Sequence, residues 1–171
     1  MLLHDARRAT RTDAEGGIVL LEDQDRSRWD RAKITEGSAL VRQALRGEVP
    51  GEYAVQAAIA ALHAGAASAG ETDWQQIAAL YAVLARIHPS PVIELNRAVA
   101  IAMAEGPERG LALLTALELP GYHLLPAARA DLLRRLGRSQ EAAAAYRDAL
   151  ALVTNEAERR FLERRLAELN P

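Results

Sequence analysis

Apolar positions recur every three or four residues along most of the chain, which is the spacing of helices with one buried face. The clearest case is the stretch from Tyr122 to Val153. One amphipathic segment ends at Gly137 and a second opens directly after it. In the second segment Ala142, Tyr146 and Ala149 share a face. Small residues let a neighbouring helix come close, so this stretch predicts a tight pair of helices.

The same alternation of small and large residues recurs upstream, which indicates internal repeats. Steps of 32 and then 33 residues back along the chain again meet small or apolar residues. The corresponding sets are Ala130, Ala142, Tyr146, Ala149, then Ala98, Gly110, Leu114, Leu117, and then Gly65, Ile77, Tyr81, Leu84. A small residue followed by an aromatic four positions later resembles the tetratricopeptide (TPR) repeat. We predict an all-α fold with three TPR-like helix pairs, stacked as a right-handed α-solenoid.

The N-terminal part differs in character from the repeats. Residues 1 to about 12 resemble the end of a helix, and Ile18–Leu21 is predicted to be an extended segment. A helix capped by Asp23 or Asp25 is expected to place Trp29 inward as an anchor and to continue to about Arg46. Its predicted apolar stripe comprises Ile34, Gly37, Val41 and Leu45. We therefore divide the chain into two parts. Residues 1–50 hold the N-terminal linker helix, the extended segment and the helix with Trp29, and residues 51–171 hold the three helix pairs and a capping helix.

Local capping chemistry marks the later helices. Thr72 and Gln75 have capping-box spacing. The helix that they open is expected to bury Ile77, Leu80, Tyr81, Leu84 and Ile87. Pro91 suits the first turn of the next helix, with Ser90 as its cap. Asn155 opens a final capping helix, whose predicted stripe of Ala157, Phe161, Leu162, Leu166 and Leu169 covers the last repeat.

Composition narrows the possible functions. Half of the residues are apolar but only 4% are aromatic, and the net charge is −2. There is no cysteine, and no apolar run reaches the roughly 18 residues that cross a membrane. The four histidines are scattered and no Gly-rich loop follows a strand, so we predict no metal, no cofactor and no enzyme activity. The paired arginines at 134–135, 159–160 and 164–165 suggest solvated helix faces. The chain is expected to be soluble and cytoplasmic.

One segment carries more charge than a helix cap requires. It consists of Asp23, Gln24, Asp25, Arg26, Ser27, Arg28, Trp29 and Asp30. On a helix that begins near Asp25, Trp29 faces inward while Arg26 and Asp30 form an exposed pair. Exposed pairs add little to folding, typically 0–1 kcal/mol. We therefore predict that this segment is a protein-interaction site, although a purely structural helix start is the alternative.

This segment, preceded by the stretch Gly16–Leu21, resembles the start of the long TPR-like C-terminal extension in one group of extracytoplasmic-function (ECF) RNA polymerase sigma factors. The resemblance continues through most of the chain, at residues 57–63, 72–74, 96–100, 122–125 and 159–162.

The resemblance implies a regulatory C-terminal domain that contacts the sigma factor's own domains 2 and 4, which are absent here, or the core RNA polymerase, and so controls transcription initiation. No direct DNA or membrane contact is expected of this region. A free-standing TPR scaffold that binds a peptide in its concave groove is the alternative.

Overall fold

The computed structural model describes residues 1–46 and 50–169, and this part of the chain is all-α, as predicted. It contains nine α-helices, three short 3-10 turns and no strand. The α-helices are α1 (Leu2–Asp5), α2 (Arg31–Ala44), α3 (Glu52–Gly65), α4 (Trp74–Ile87), α5 (Pro91–Glu105), α6 (Pro107–Thr115), α7 (Leu124–Arg135), α8 (Ser139–Leu152) and α9 (Glu156–Ala167). The 3-10 turns are Arg8–Thr10, Arg26–Arg28 and Ala69–Glu71.

The helices form two compact units. The first contains residues 1–15 and 19–89, and the second contains residues 16–18 and the described residues from 90 onward. The predicted division between residues 1–50 and 51–171 lies where the repeats begin in the sequence, and it stays a prediction. Two short stretches of these predicted regions lie outside the described residues. They are residues 47–49, next to the predicted division, and residues 170–171, at the end of the predicted capping region.

The first unit is built around α2 and α3. Helix α1 contacts both of them, and α4 packs on α3. The predicted stripe on α2 is confirmed for Ile34, Gly37 and Val41, which are buried. It is wrong for Leu45, which is 37% exposed, because the helix ends at Ala44 and Leu45 is its C-cap.

The second unit follows chain order, with each helix from α5 to α9 packed on the next. The face predicted on α8 is confirmed: Ala142 and Ala149 are buried and Tyr146 is only 2% exposed. Where α6 crosses α5, Gly110 is also buried. A Cβ atom at Gly110 would lie 2.3 Å from Ala102 Cβ. The small residue at this repeat position therefore permits the close approach that the sequence predicts.

One repeat position of the first unit, predicted at Gly65, is wrong by one residue, whereas Ile77 and Leu84 are buried as predicted. Gly65 is exposed and its missing Cβ would face open space, whereas the preceding Ala64 is fully buried. Ile87 was also predicted to face inward but is 41% exposed. Ile87 is the last residue of α4.

Three helix starts test the capping predictions. Asn155 is the cap of α9, and its Oδ1 accepts hydrogen bonds from the backbone N–H groups of Ala157 and Glu158. Pro91 is the first residue of α5, although the Ser90 side chain makes no capping bond. The predicted Thr72 cap is wrong: Asp73 caps α4 instead, with its Oδ1 2.8 Å from the N–H of Gln76. Thr72 is buried at the end of the preceding 3-10 turn.

Three arginines close the ends of other helices, an arrangement that we call a carbonyl clamp. In each clamp one guanidinium donates to two backbone carbonyls three residues apart, at distances of 2.7–3.3 Å. Arg26 clamps His63 and Ala66 at the end of α3, Arg129 clamps Leu114 and Leu117 at the end of α6, and Arg159 clamps Leu150 and Val153 at the end of α8. Arg159 is therefore a structural residue and not part of a solvated face, which corrects the sequence-based interpretation.

We expect Gly110→Ala to destabilise the second unit by about 1–3 kcal/mol, the usual cost of overpacking. The added methyl group would lie 2.8 Å from the backbone oxygen of Ala98, so α5 and α6 must move apart. Gly65→Ala is the matched control, because that site is open and alanine favours a helix by up to about 1 kcal/mol. Urea unfolding followed by circular dichroism measures both variants. Equal stability of the two variants would contradict the close crossing.

Candidate protein-interaction site

The segment Asp23–Asp30 forms a short turn followed by a helix cap. Asp25 opens the turn Arg26–Arg28, and its Oδ1 accepts hydrogen bonds from the backbone N–H and the hydroxyl of Ser27 at 3.0 and 2.6 Å. Asp30 caps α2 by accepting a hydrogen bond from the N–H of Lys33 at 3.1 Å. The predicted single helix from Asp25 is wrong, because Trp29 has an extended backbone (φ −75°, ψ 141°) between the two elements.

Buried and exposed side chains alternate along this segment. Gln24, Arg26 and Trp29 are buried. Asp23, Asp25, Ser27 and Arg28 are exposed, while Asp30 is half-buried. Three anchors therefore hold a short backbone stretch whose remaining polar side chains face solvent.

Trp29 is 3% exposed, as an anchor should be. Its indole Nε1 donates a hydrogen bond to the hydroxyl of Thr10 at 3.0 Å. Thr10 is itself buried, and its hydroxyl lies 3.2 Å from the Gln24 side-chain oxygen. The Gln24 amide donates in turn to the carbonyl of Val19. This buried network joins the N-terminal residues to the segment.

Arg26 is 8% exposed, and its guanidinium forms the clamp on the end of α3. The guanidinium carbon also lies 4.7 Å from the centroid of the Trp29 ring, a cation–π distance. Burial lowers the pKa of Arg26, and the nearby charge of Arg31 lowers it further. The predicted exposed pair of Arg26 and Asp30 is therefore wrong, because the two side chains serve different elements.

Asp30 and its neighbour Lys33 attach the segment to α1. The backbone N–H of Asp30 donates to the carbonyl of Ala6 at 3.0 Å. The ammonium of Lys33, the only lysine, lies 2.7 Å from an Asp5 carboxylate oxygen and 3.5 Å from one of Asp30. These exposed pairs depend on salt and add little stability.

A group of cations beside Trp29 was missed from the sequence. The guanidinium carbon of Arg7 lies 5.7 Å from the Trp29 ring centroid. The His63 ring packs edge-on against Trp74, at 5.1 Å between centroids. Burial lowers the pKa of His63 to about 4, and the charges of Arg7, Arg26 and His4 contribute, so His63 is neutral at pH 7. The arginine-rich N-terminal residues were the available signal, but only the fold places them at Trp29.

The chemistry that this site offers is hydrogen bonding and charge. In the described ranges, no group of three or more histidine or acidic side chains is placed to hold a metal ion. Over the same residues, no helix is long and apolar enough to cross a membrane. The exposed side chains of the segment can form hydrogen bonds and ion pairs.

Comparisons with known proteins find similarity to one protein family and to one curated protein. Residues 1–45, which include the whole segment, match a family of unknown function (DUF6596). An uncharacterized protein of Rhizobium meliloti (strain 1021) is 47% identical over 171 residues. This match covers 99% of the present chain and 40% of the relative, so the chain spans less than half the length of the curated protein it matches. No solved structure matches the chain significantly.

Proposed function

We propose that this chain is the regulatory C-terminal region of an ECF-type RNA polymerase sigma factor. In this proposal the exposed side of Asp23–Asp30 contacts sigma domains 2 and 4 of the parent protein or the core polymerase, in the cytoplasm. The alternation of buried and exposed residues carries the proposal. Gln24, Arg26 and Trp29 fix the backbone, so Arg28 and the exposed acids are presented in one defined arrangement. A preordered surface binds a partner at a lower entropic cost.

A TPR-like α-solenoid is the arrangement that we propose for the helices. Consecutive contacts within the pairs α3–α4, α5–α6 and α7–α8 support it. So do the small or apolar residues buried at equivalent positions, such as Gly110 in α6 and Ala142 in α8. Such arrays commonly serve as surfaces for other proteins.

The size of the relative also supports a role within a larger protein. More than half of the Rhizobium meliloti protein lies outside the match. The net charge of −2 gives the present chain little attraction for DNA, so we propose that DNA recognition lies elsewhere in the parent factor.

Arg28 and Arg26 give a matched pair of variants for this proposal. We expect Arg28→Ala to leave the melting temperature within a few degrees, because the side chain is exposed, yet to reduce transcription from the full-length factor. Arg26→Ala should destabilise the domain by about 1–3 kcal/mol, because it leaves the carbonyls of His63 and Ala66 without their clamp. Thermal melts of the domain and transcription in vitro from the full-length factor are measured on the same variants.

Two results would refute this use of the segment. If Arg28→Ala melts as early as Arg26→Ala, the segment has a structural role only. If Arg28→Ala is both stable and fully active, the partner binds elsewhere.

A peptide-binding scaffold is the second candidate function, and a groove between α2, α3 and α4 favours it. Apolar side chains line most of this groove, including Val41, Ala58, Leu62 and Leu80, and Arg42 also lines it. The DNA upstream of codon 1 separates the two candidates. An in-frame sigma coding region supports the first, and a stop codon with a ribosome-binding site supports the second.

A further inference from the structure

The first unit holds a group of arginines beside Trp29, and one of them, Arg7, makes no ion pair with an acid of the described residues. Arg7 is half-buried beside Trp29, and among the described residues its guanidinium has no ion pair and no hydrogen-bond acceptor. In the same chain Arg97, Arg134 and Arg138 each bind a carboxylate at about hydrogen-bond distance. Arg7 is therefore a cation that the fold has partly dehydrated and left without a counterion.

The groups around Arg7 add to the positive charge. Burial lowers the pKa of Arg7, and the charges of Arg11 and Arg26 lower it further. The pKa of His4 is likewise lowered by burial and then by Arg7 and Arg11. Glu71 raises the pKa of Arg26, but burial and Arg31 outweigh it. Keeping like charges together in a half-buried place costs free energy, which an anion would recover.

A second polar group, on His63, also has no hydrogen-bond partner among the described residues. The Nδ1 atom of His63 is buried and makes no hydrogen bond within the described part of the chain. The His63 ring packs edge-on against Trp74. The rings of Trp29 and His63 are therefore held in place, the guanidinium of Arg26 is clamped, and the half-buried guanidinium of Arg7 has no ion-pair or hydrogen-bond partner among the described residues.

We propose that Arg7, with His4 and Arg11 at its edge, binds a carboxylate from an acidic peptide segment of a partner protein. A guanidinium binds a carboxylate through two parallel N–H···O bonds, and Arg7 has its donors available for this. The proposal rests on the proposed function, because it names the chemistry of the surface that the sigma domains or polymerase would present. Trp29 stacks beside both Arg7 and Arg26, so the bound carboxylate would lie next to the segment Asp23–Asp30.

The test uses the 171-residue chain and a hexaglutamate peptide as the probe. Isothermal titration calorimetry at low salt is expected to show binding that weakens as salt is added. Arg7→Gln should reduce the affinity at least about fivefold, since one charge-assisted pair is lost. Arg147→Gln, at an exposed position on α8, is the matched control and should bind like the parent chain. Hexaglutamine and inorganic phosphate are the comparison ligands.

Each outcome supports or overturns the proposal. The proposal would be overturned if Arg7→Gln and Arg147→Gln lost the same affinity for hexaglutamate. It would also be overturned if hexaglutamine bound the parent chain as tightly as hexaglutamate does. Phosphate binding as tight as that of hexaglutamate would show a small-anion site and reject the peptide assignment.

Thermal melts without ligand provide a second measurement. An arginine kept for binding is a cost to the free chain, so Arg7→Gln should melt at the same temperature as the parent chain or higher. A fall of several degrees would make Arg7 a structural residue and overturn the proposal.

The transcription assay separates this proposal from the one it rests on. Suppose that the peptide binds through Arg7 and that Arg28→Ala transcribes as well as the parent factor. The proposed contact of Asp23–Asp30 with the sigma domains or polymerase is then refuted, and the carboxylate site is not. Reduced transcription in Arg28→Ala, with no peptide binding by the parent chain, would refute the carboxylate site alone.

Discussion

Trp29→Ala is expected to lower the free energy of unfolding by about 3–5 kcal/mol, the usual cost of removing a buried aromatic side chain. The indole is 3% exposed and lies in the cluster that contains Leu3, Ala6 and Ile34. Its loss also removes the donor to Thr10 and the ring beneath Arg26. The first unit therefore loses packing and the link to its N-terminal residues together.

Trp29→Phe is the control, because it keeps an aromatic ring but removes the hydrogen bond to Thr10. Its expected cost is about 1 kcal/mol for that bond, together with a small packing change. Both variants are measured by urea unfolding with circular dichroism, since fluorescence would lose one of the two tryptophans. An alanine variant that unfolds at the parent's urea midpoint would show that Trp29 is not an anchor.

Deleting Asn155–Pro171 is expected to cause aggregation or the loss of cooperative unfolding in the second unit. Helix α9 packs on α8, and Leu162 is buried in one cluster with Tyr146, Ala149 and Val153. Removing α9 exposes this apolar face to water. The deletion also removes Arg159, the clamp on the end of α8.

Arg159→Ala separates these two effects. It removes the clamp and leaves the apolar cover, so we expect a soluble protein that is destabilised by about 1–3 kcal/mol. Size-exclusion chromatography and thermal melts compare the deletion and the point variant. A deletion variant that stays monomeric and melts at the parent temperature would mean that α9 contributes nothing to the core.

Local chemistry made much of the helix pattern predictable. Asn155 accepts hydrogen bonds from the first N–H groups of α9, and Pro91 fits the first turn of α5, as the sequence indicates. Gly137 has a φ of +72° between α7 and α8, which glycine adopts without strain. Such signals act within a few residues, so they can be read without the fold.

The candidate site was predictable only in part, because two aspartates compete to start the helix. Asp25 and Asp30 each have capping chemistry, and the sequence favours the earlier one. The chain uses both, since Trp29 must be extended to reach Thr10, 19 residues earlier. Arg26 likewise reaches carbonyls 37 and 40 residues away. Contacts over such separations leave no periodic pattern in the sequence.

One position of the first repeat was predicted one residue too late for a related reason. Gly65 and Ala64 are both small, so spacing alone does not decide which of them is buried. The choice depends on the angle at which α3 meets its neighbours, and that angle is set by tertiary packing. The same limit explains why the inward face of α4 was extended too far, to Ile87.

The order in which the carbonyl clamps become available during synthesis differs between the two units. Arg26 has already left the ribosome when the carbonyls of His63 and Ala66 emerge, so α3 can be closed as soon as it forms. The other two helix ends must wait for later sequence: Arg129 follows Leu117 by 12 residues, and Arg159 follows Val153 by 6. A nascent chain that pauses before either arginine keeps that helix end open to solvent. The first unit can therefore mature during translation, whereas the second reaches its closed form only when its last helix is made.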